Sequence, residues 1–531
     1  MTTKPLEPRS RKSPLSLGLL LGALVVAGLV LRVWVADLAI YHGYIPDHFD
    51  NICTGLTAER QGLLKIYSVS RDQLVTVHGT VYDQGRPQEL SRPAATLPNH
   101  PPLYVLMRYG QVKLLRAITG GVEANTLAAR LAMGLVPMLA ELFCAVGVGL
   151  LAGRLAGRRA GLLAGAVAWF FPPILMNTAF WEQVDSLFLA PAVFAVLFML
   201  RRQWCRAGAC LALAALLKSQ GLILAPVALC GAILVRQADG PAGVGPVFRR
   251  LGQMLAAFVA VVVLAGLPWM IADGPAWLMR CYVYSFLEAF PDTTLKAFNI
   301  WYLDALRLDS SLTFALDSRE TIAGISKDSW GRVLLVAATA AAGWLVWKKY
   351  RRDDGGLVIF SCLWLWNVFM LPTRVHERYI IYCIPFALAL AGWRKRYWPV
   401  VIGLLIVGTA EHSWNVWMTG PSAGSLMSRR VADAYYQQVQ SAYDQQMASV
   451  APDRRPPRPT YERVVEAYRR QAAARLPEYL RSRQDVEGWE YLLTILSLLS
   501  YAGIFAAAGK AGPPVREGGA GPPGKKRRPR S

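Results

Sequence analysis

Long apolar runs separated by short polar segments dominate the pattern of this chain. They cover residues 15–35 (interrupted by Arg32), 131–151, 251–271, 333–347, 357–371 and 491–508. A helix needs about 20 mostly apolar residues to cross a bilayer, and several runs reach that length once their flanks are included. The pattern predicts an all-α polytopic membrane protein.

Basic residues flank these runs in a regular way. The chain has 57 Lys and Arg against 35 Asp and Glu, and nearly every short loop assigned to the inside is basic, as cytoplasmic loops are. Starting from a basic cytoplasmic N-terminus at residues 1–14, hydropathy and charge predict roughly 12 transmembrane helices. The first is expected to be an uncleaved anchor, because no small-residue cleavage site follows it.

The polar segments divide the rest of the chain. A large first extracytoplasmic loop, residues 43–123, belongs to a transmembrane module of residues 15–415. Residues 416–488 contain two helical patterns around PDRRPPRP and are predicted to form an extracytoplasmic helical insertion. After a last transmembrane helix at 489–510, residues 511–531 read as a disordered basic cytoplasmic tail, suited to anionic lipid head groups rather than nucleic acid.

Metal and disulfide chemistry have little support in the sequence. The eight cysteines are scattered, mostly inside apolar runs, and none belongs to a CxxC pair, so no zinc site or disulfide framework is expected. A divalent cation between Asp47, His48 and Asp50 is conceivable but not favoured. No cofactor is predicted.

Six polar clusters fall on the predicted outer side. They are DHFD from Asp47, NHPPLY from Asn99, FWEQVDS from Phe180, LKSQG from Leu217, KAFNIW from Lys296 and TRVHERY from Thr373. Ionisable groups at membrane depth are costly and usually mark function. Their convergence from distant parts of the chain predicts one extracytoplasmic site.

The acids of the first loop, Asp47 and Asp50, are the candidate catalytic residues. An attacking hydroxyl needs a carboxylate base within hydrogen-bond reach; the alternative is that they cap a helix beginning at Asn51. Cations beside them suit a lipid-linked phosphate, since arginine makes bidentate hydrogen bonds to it. The candidate substrate-binding residues are Arg374, His376, Glu377, Arg378, Lys218, Gln220, Trp181, Glu182, Gln183, Asp185, His100 and Asn299.

Each of these clusters also has a purely structural alternative. His100-Pro101-Pro102 is typical of a turn before an interfacial helix, Trp181 of an aromatic belt, and Lys218 of a snorkelling lysine. TRVHERY is the least easily explained in this way, because a spacer between two apolar runs needs far less charge.

The motif order resembles the GT-C glycosyltransferases, in particular bacterial mannosyltransferase-like proteins related to the enzyme that adds the second mannose of GPI anchors. The matching positions, within roughly residues 15 to 415, are Asp47, Gly62, Tyr67, His100-Pro101-Pro102, Trp181-Glu182-Gln183-Val184-Asp185, Phe298-Asn299-Ile300-Trp301 and His376-Glu377-Arg378-Tyr379. The resemblance implies a GT-C bundle, a polyprenyl-phosphate sugar donor (most often mannose) and no metal; direct displacement of the lipid phosphate by the acceptor hydroxyl would invert the anomeric centre. It also implies Asp47 rather than Asp50 as the base.

The chain departs from that pattern in places. Glu182 replaces the usual glycine, His100 the usual tyrosine, and the first outer loop is enlarged between Tyr67 and Asn99. The expected acceptor is a glycan, lipid or protein hydroxyl. The outer loops lack an N-x-S/T sequon, which fits the inner (plasma) membrane of a bacterium, with the site facing the extracytoplasmic side.

Two other function classes remain open. A transporter or lipid flippase would place ionisable residues near the midplane, often in repeated halves, whereas no internal repeat is evident and the charged clusters lie at the outer ends of the runs. An inactive scaffold for an envelope assembly could use residues 416–488 as its contact.

Overall fold

A computed structural model describes most of the chain. The described residues are 14–83, 86–94, 97–235, 244–285, 293–295, 297–305, 318–319, 321–351, 353–418, 429–451, 455–460, 463–464, 467 and 488–510. The predicted basic N-terminus, the C-terminal tail, Lys296 and much of the 416–488 segment lie outside them.

Helices form nearly all of the described structure. Besides two short helical segments, Ala276–Leu278 and Tyr302–Ala305, they are in chain order α1 (Pro14–His42), α2 (Ile45–Gln61), α3 (Pro102–Thr119), α4 (Leu127–Ala156), α5 (Arg158–Trp169), α6 (Pro172–Leu175), α7 (Asp185–Leu200), α8 (Trp204–Leu217), α9 (Ala225–Leu234), α10 (Val244–Asp273), α11 (Lys327–Tyr350), α12 (Gly355–Met370), α13 (Ile384–Trp393), α14 (Trp398–Met418), α15 (Arg429–Met447) and α16 (Gly488–Gly509). Two of the 3-10 turns, Ser219–Leu224 and Glu377–Tyr382, matter for the site.

Every predicted crossing contains at least one of these helices, but their lengths differ. Within the described ranges, five are long and apolar enough to span a bilayer: α1, α4, α10, α11 and α16. A sixth span results if α5 and the Pro172–Phe180 segment, bent by 44°, count as one. Pro172 and Pro173 explain the bend, because proline cannot continue the hydrogen-bond ladder of α5.

Several apolar helices are shorter than a bilayer crossing. Helix α7 has 16 residues, which span about 24 Å, less than the hydrocarbon core of about 30 Å. Helices α8 and α12 and the Ser219–Leu234 segment are also short. Length and composition therefore establish a polytopic membrane fold and leave the predicted number of spans a prediction.

Burial separates inner helices from lipid-facing ones. Helices α7, α12 and α13 are apolar all round and almost wholly buried by their neighbours, as expected of helices without a polar face. In contrast, α10 and α11 expose large apolar side chains, including Leu264 (77%) and Val336 (69%). Such extended apolar surface is stable against lipid rather than water.

The arginine that interrupts the first apolar run is buried inside the bundle. Arg32 Nε lies 2.6 Å from Glu141 on α4, and its other nitrogens donate to the carbonyls of Gly28 and Trp169, each at 3.0 Å. A charge in hydrocarbon is tolerated when it is paired and hydrogen-bonded. Arg32 thus ties α1 to α4 and α5.

Residues 43–123, the predicted first extracytoplasmic loop, contain a β-hairpin that was not predicted from the sequence. Strand β1 (Val77–Asp83) pairs antiparallel with β2 (Arg86–Arg92), with Val77 opposite Arg92. Gly79 also bridges Ala124 just before α4. Together with a second short hairpin, β3 (Thr321–Ile322) and β4 (Ile325–Ser326), this adds small sheets to an otherwise helical fold.

Candidate active site

Asp47 lies in the first turn of α2, at the start of the large outer loop. The helix begins at Ile45, and Pro46 follows in its first turn, where a fixed φ and a missing N–H favour helix initiation. The N-cap residue makes no side-chain cap. The alternative in which Asp47 or Asp50 caps a helix starting at Asn51 is therefore wrong.

One oxygen of Asp47 is held by two donors. Oδ2 accepts hydrogen bonds from the indole Nε1 of Trp181 at 2.9 Å and from the side-chain amide of Gln183. Oδ1 has no hydrogen-bond partner among the described residues. Burial raises the pKa of Asp47, although Arg378 and the Trp181 hydrogen bond act in the opposite direction. The Oδ1 oxygen of Asp47 can therefore accept a proton from a substrate, and the raised pKa makes this carboxylate a stronger base.

Asp50, one turn further along α2, has a different environment. It lies 3.2 Å from Arg92 at the end of β2, and both side chains are about a quarter exposed (24% and 27%). This ion pair connects the hairpin to α2. The structure therefore distinguishes the two candidate acids: Asp47 faces the WEQVD segment, from Trp181 to Asp185, and Asp50 faces the hairpin.

A buried charge network fixes the position of α2. His48 Nδ1 contacts the carboxylate of Glu182, and its Nε2 accepts the backbone N–H of Asn125 at 3.0 Å. Arg130 lies 3.6 Å from the same carboxylate. Burial acts to raise the pKa of Glu182, but the neighbouring His48 and Arg130 lower it overall. Glu182 therefore contacts protein groups that position Asp47 rather than an open substrate site.

The three side chains proposed for a cation face different partners. Asp47 faces Trp181 and Gln183, His48 faces Glu182, and Asp50 faces Arg92. Over the described ranges, no group of three or more His, Cys, Asp or Glu side chains is arranged to hold a metal ion.

A second cluster, of cations and tyrosines, surrounds Asp185 at the start of α7. Lys218 Nζ contacts its Oδ1, and the hydroxyl of Tyr382 donates to the same oxygen at 2.7 Å. Arg378 Nε lies 3.8 Å from Oδ2. Asp185 therefore aligns two cations that come from separate turns of the chain.

Arg378 links this cluster to Asp47. Its guanidinium lies 5.6 Å from the centroid of the Trp181 ring, and the indole N–H of that ring binds Asp47. Arg378 Nη1 also contacts Glu377 at 3.2 Å and His376 at 3.1 Å. Its Nε is buried without a hydrogen-bond partner in the described part of the chain, and a buried unsatisfied donor calls for one.

Two more predicted residues approach this cluster. His100 stacks on Tyr104 with 4.1 Å between ring centroids, and burial with the nearby charge of Lys218 lowers its pKa to about 3. Gln220 donates to the hydroxyl of Tyr379 at 2.8 Å. The imidazole of His100 is therefore a neutral group in this environment.

The remaining two predicted residues have contacts elsewhere. Arg374 lies 4.0 Å from Asp328 on α11 and 3.4 Å from Ser318. Asn299 is buried and binds two backbone groups, donating to the carbonyl of Phe369 at 3.3 Å and accepting from the N–H of Trp301 at 3.0 Å. Both side chains support the chain around the site.

Sequence reasoning missed the contribution of α14. His412, near the end of this helix, lies 3.3 Å from the amide of Asn177 and edge-on to Trp181, with 5.9 Å between ring centroids. The Asn177 amide in turn contacts Asp185 at 3.3 Å. A histidine inside an apolar run was the available signal, since a polar side chain at that depth needs a partner.

The fold and this site define a class: a polytopic membrane protein with an acid and a cation cluster gathered at one end of its helices. Comparison with known proteins adds a match to one family over part of the chain. Residues 124–372 match the family model of Glycosyltransferase family 87. That range contains Trp181, Asp185 and Lys218, whereas Asp47 and Arg378 lie on either side of it.

Whole-chain comparisons give distant similarity. Among curated proteins, no sequence matches this chain. Among solved structures it is similar to ArnT from Cupriavidus metallidurans bound to undecaprenyl phosphate, at 16% identity, over 92% of this chain and 76% of that one, with a TM-score of 0.44. The apo state of the same ArnT gives 15% identity, the same coverages and a TM-score of 0.41.

Proposed function

We propose that this protein is an integral membrane glycosyltransferase that moves a sugar from a polyprenyl-phosphate donor to an acceptor hydroxyl. The observation that carries the proposal is that Asp47 and Arg378 contact the same indole ring, that of Trp181. A base and a phosphate-binding cation thus lie on two sides of one rigid side chain. The match of residues 124–372 to a glycosyltransferase family supports the transferase class.

In the proposed reaction, the acceptor hydroxyl binds at Oδ1 of Asp47. Asp47 takes the hydroxyl proton as the acceptor oxygen forms a bond to the anomeric carbon of the sugar. The bond from that carbon to the phosphate oxygen breaks, and the lipid phosphate leaves with the electron pair. Attack opposite to the leaving group inverts the anomeric centre.

Positive charge on the phosphate side would stabilise the leaving group, because charge develops there in the transition state. We assign the direct contact to Arg378, whose buried Nε lacks a hydrogen-bond partner within the described ranges. Lys218 is already paired with Asp185. Its role in this scheme is to hold Asp185, and through it Arg378, in place.

The finer features of the proposal follow the motif resemblance. Mannose is the proposed sugar, and a glycan, lipid or protein hydroxyl the acceptor. The proposed location is the plasma (inner) membrane, with the site on the extracytoplasmic side and no metal or cofactor. Asp50, paired with Arg92 on the hairpin, is proposed to border the acceptor entrance rather than to act as the base.

The test is sugar transfer from radiolabelled polyprenyl-phosphate mannose in proteoliposomes, comparing Asp47→Asn with Asp50→Asn. Loss of the general base lowers the rate by at least about 100-fold, so Asp47→Asn should be nearly inactive. Asp50→Asn is the matched control on the same helix and should keep most of the activity. Binding of the donor should survive in both variants.

Other outcomes would revise the proposal in defined ways. Full activity of Asp47→Asn with loss in Asp50→Asn would move the base to Asp50. No transfer from any polyprenyl-phosphate sugar, with movement of the lipid across the bilayer, would replace the transferase with a flippase.

A further inference from the structure

A charged cavity lies at the end of α7 away from the candidate active site. It has a volume of about 390 Å³, within the range of about 300–1,000 Å³ found for small-ligand sites. Its polar lining is Arg154, Arg201, Arg202, Gln203 and Asp354; we name it the arginine pocket. Three arginines and one aspartate give this lining a net charge of +2.

Two of the pocket arginines make no side-chain hydrogen bond or ion pair with another polar group in the described part of the chain. Arg154 is paired with Asp354 at 2.7 Å and donates to the carbonyl of Leu200 at 3.0 Å. The exposed guanidinium groups of Arg201 and Arg202 have no hydrogen-bond or ion-pair partner among the described residues. Two neighbouring cations without an acid between them favour an anionic ligand.

The surroundings increase the excess of positive charge. Arg202 and Arg249 lie close enough to Arg250 for their charges to repel it. The Arg250 guanidinium donates to the carbonyl of Ala232 at 2.8 Å and lies 5.4 Å from the ring of Trp204. Arg250 is thus held beside the pocket, where a bound anion would relieve the repulsion.

The position of the pocket indicates which anion would reach it. Helix α7 runs from Asp185, in the candidate active site, to Leu200 at the pocket, and its 16 residues span about 24 Å. That is shorter than the hydrocarbon core, about 30 Å, but α4, which is long enough to span a bilayer, also ends at the pocket, with Arg154 in its last turn. The pocket therefore lies at the depth of the head groups of the leaflet opposite the candidate active site.

We propose that the arginine pocket binds the phosphate of an anionic phospholipid from that leaflet. The phosphate would be held by Arg201 and Arg202, each able to make bidentate hydrogen bonds, while Arg154 stays paired with Asp354. The group that the arginines would bind is a phosphate oxyanion, which is present both in the lipid head group and in soluble phosphate. The inference depends on the membrane fold and not on the proposed transferase activity.

The test measures lipid binding to the full-length protein in neutral detergent, using native mass spectrometry with phosphatidylglycerol, phosphatidylcholine and inorganic phosphate as probes. The pocket variant is Arg201→Gln/Arg202→Gln. The control is Arg158→Gln/Arg159→Gln, which removes an equally exposed pair of arginines at the start of α5, outside the pocket lining. Both variants lose two positive charges.

We expect the pocket variant to lose at least about tenfold in phosphatidylglycerol affinity, since it loses the charge-assisted hydrogen bonds of two guanidinium groups to the phosphate, and the control to resemble wild type. Lipid should raise the Tm of wild type and control more than that of the pocket variant, because a ligand of the native state stabilises it. Equal Tm values without lipid would verify that both variants fold.

Equal losses in the two variants would overturn the proposal, because any basic surface would then serve. Binding that is unaffected by Arg201→Gln/Arg202→Gln would overturn it as well. Pocket-dependent binding of inorganic phosphate that phosphatidylglycerol does not displace would reject the lipid and assign the pocket to a soluble phosphate.

Discussion

At the scale of single residues, Trp181 is the side chain on which the candidate site depends. Its N–H donates a hydrogen bond to Asp47. Its ring contacts the guanidinium of Arg378 and lies edge-on to the imidazole of His412. A tryptophan near a membrane surface is usually read as an interfacial anchor. Here it is buried, at 4% exposure, so its polar atom must bind within the protein.

Replacing Trp181 with Phe should change the pH dependence of transfer. The variant keeps an aromatic ring beside Arg378 and His412 and removes the hydrogen bond to the charged form of Asp47, which lowers the pKa of that acid. Its loss raises the pKa further. Since the base must be deprotonated, the acid limb of the kcat/KM profile should move to higher pH.

Trp301→Phe is the control for this measurement. Its indole N–H also donates a hydrogen bond, at 2.6 Å, but to the carbonyl of Leu371. Its acid limb should coincide with that of wild type. A Trp181→Phe profile that is lower at every pH without a shifted limb would contradict the role of this hydrogen bond.

Glu182 illustrates how a substituted motif position is accommodated. Its backbone has φ 65°, a left-handed conformation that glycine adopts without cost and other residues adopt at some cost. The carboxylate contacts His48 and Arg130. These contacts compensate for the conformation and connect the Trp181 loop to α2.

At the scale of elements, close glycine contacts hold α4 against α5. Gly149 and Gly153 on α4 face Gly161 and Gly165 on α5. Small residues allow membrane helices to approach closely, where packing rather than the hydrophobic effect drives association. Since α4 begins beside the candidate site and ends at the arginine pocket, this packing sets the geometry of both ends.

Gly161→Ala should destabilise the protein, whereas Gly153→Ala should not. A Cβ on Gly161 would lie 2.5 Å from the carbonyl oxygen of Gly149, but one on Gly153 would have its nearest neighbour at 3.7 Å. Overpacking of this kind costs about 1–3 kcal/mol. Thermal unfolding in a fixed detergent should give a lower Tm for Gly161→Ala alone; equal Tm values would contradict the close helix contact.

At the scale of the whole molecule, polar chemistry separates to the two ends of the helices. Asp47, Asp185 and Arg378 gather at one end, and the arginine pocket lies at the other. The apolar faces of α10 and α11 lie between them. This arrangement gives the bundle two distinct ends, and the positive-inside rule predicts that the end with the pocket faces the cytoplasm.

The native Cys205 tests that orientation. It is exposed in the first turn of α8, close to the arginine pocket. A membrane-impermeant maleimide should label it in inside-out vesicles and not in right-side-out vesicles. A Cys205→Ser/Gln88→Cys variant, with its thiol on the exposed hairpin strand, should show the opposite pattern. Reversed labelling would invert the proposed topology.

Several features of this protein could be predicted from its sequence. The apolar runs indicated a polytopic helical membrane fold because the length of a run reports directly on burial in lipid. The clusters around Asp47, Trp181, Lys218 and Arg378 were predicted to share one site, and the structure brings them together through Trp181 and Asp185. Local polarity inside an apolar context was sufficient for these predictions.

Other features depend on contacts between distant segments. The start of α2 at Ile45, the hairpin inside the first loop and the turning of Arg374 toward Asp328 were not predicted. A short motif identifies candidate residues in the sequence. The direction of each side chain depends on the helix that carries it and on the elements against which that helix packs.

The sequence by itself thus determined that the chain enters a membrane and which residues carry its charge. The tertiary structure decided which of those side chains meet: Asp47 with Trp181, Glu182 with His48 and Arg130, and Arg154 with Asp354 at the arginine pocket. The physical reason is the distance over which each effect acts. Transfer to lipid is a property of each segment, whereas pairing of buried charges depends on distances of a few ångströms that only the packed fold sets.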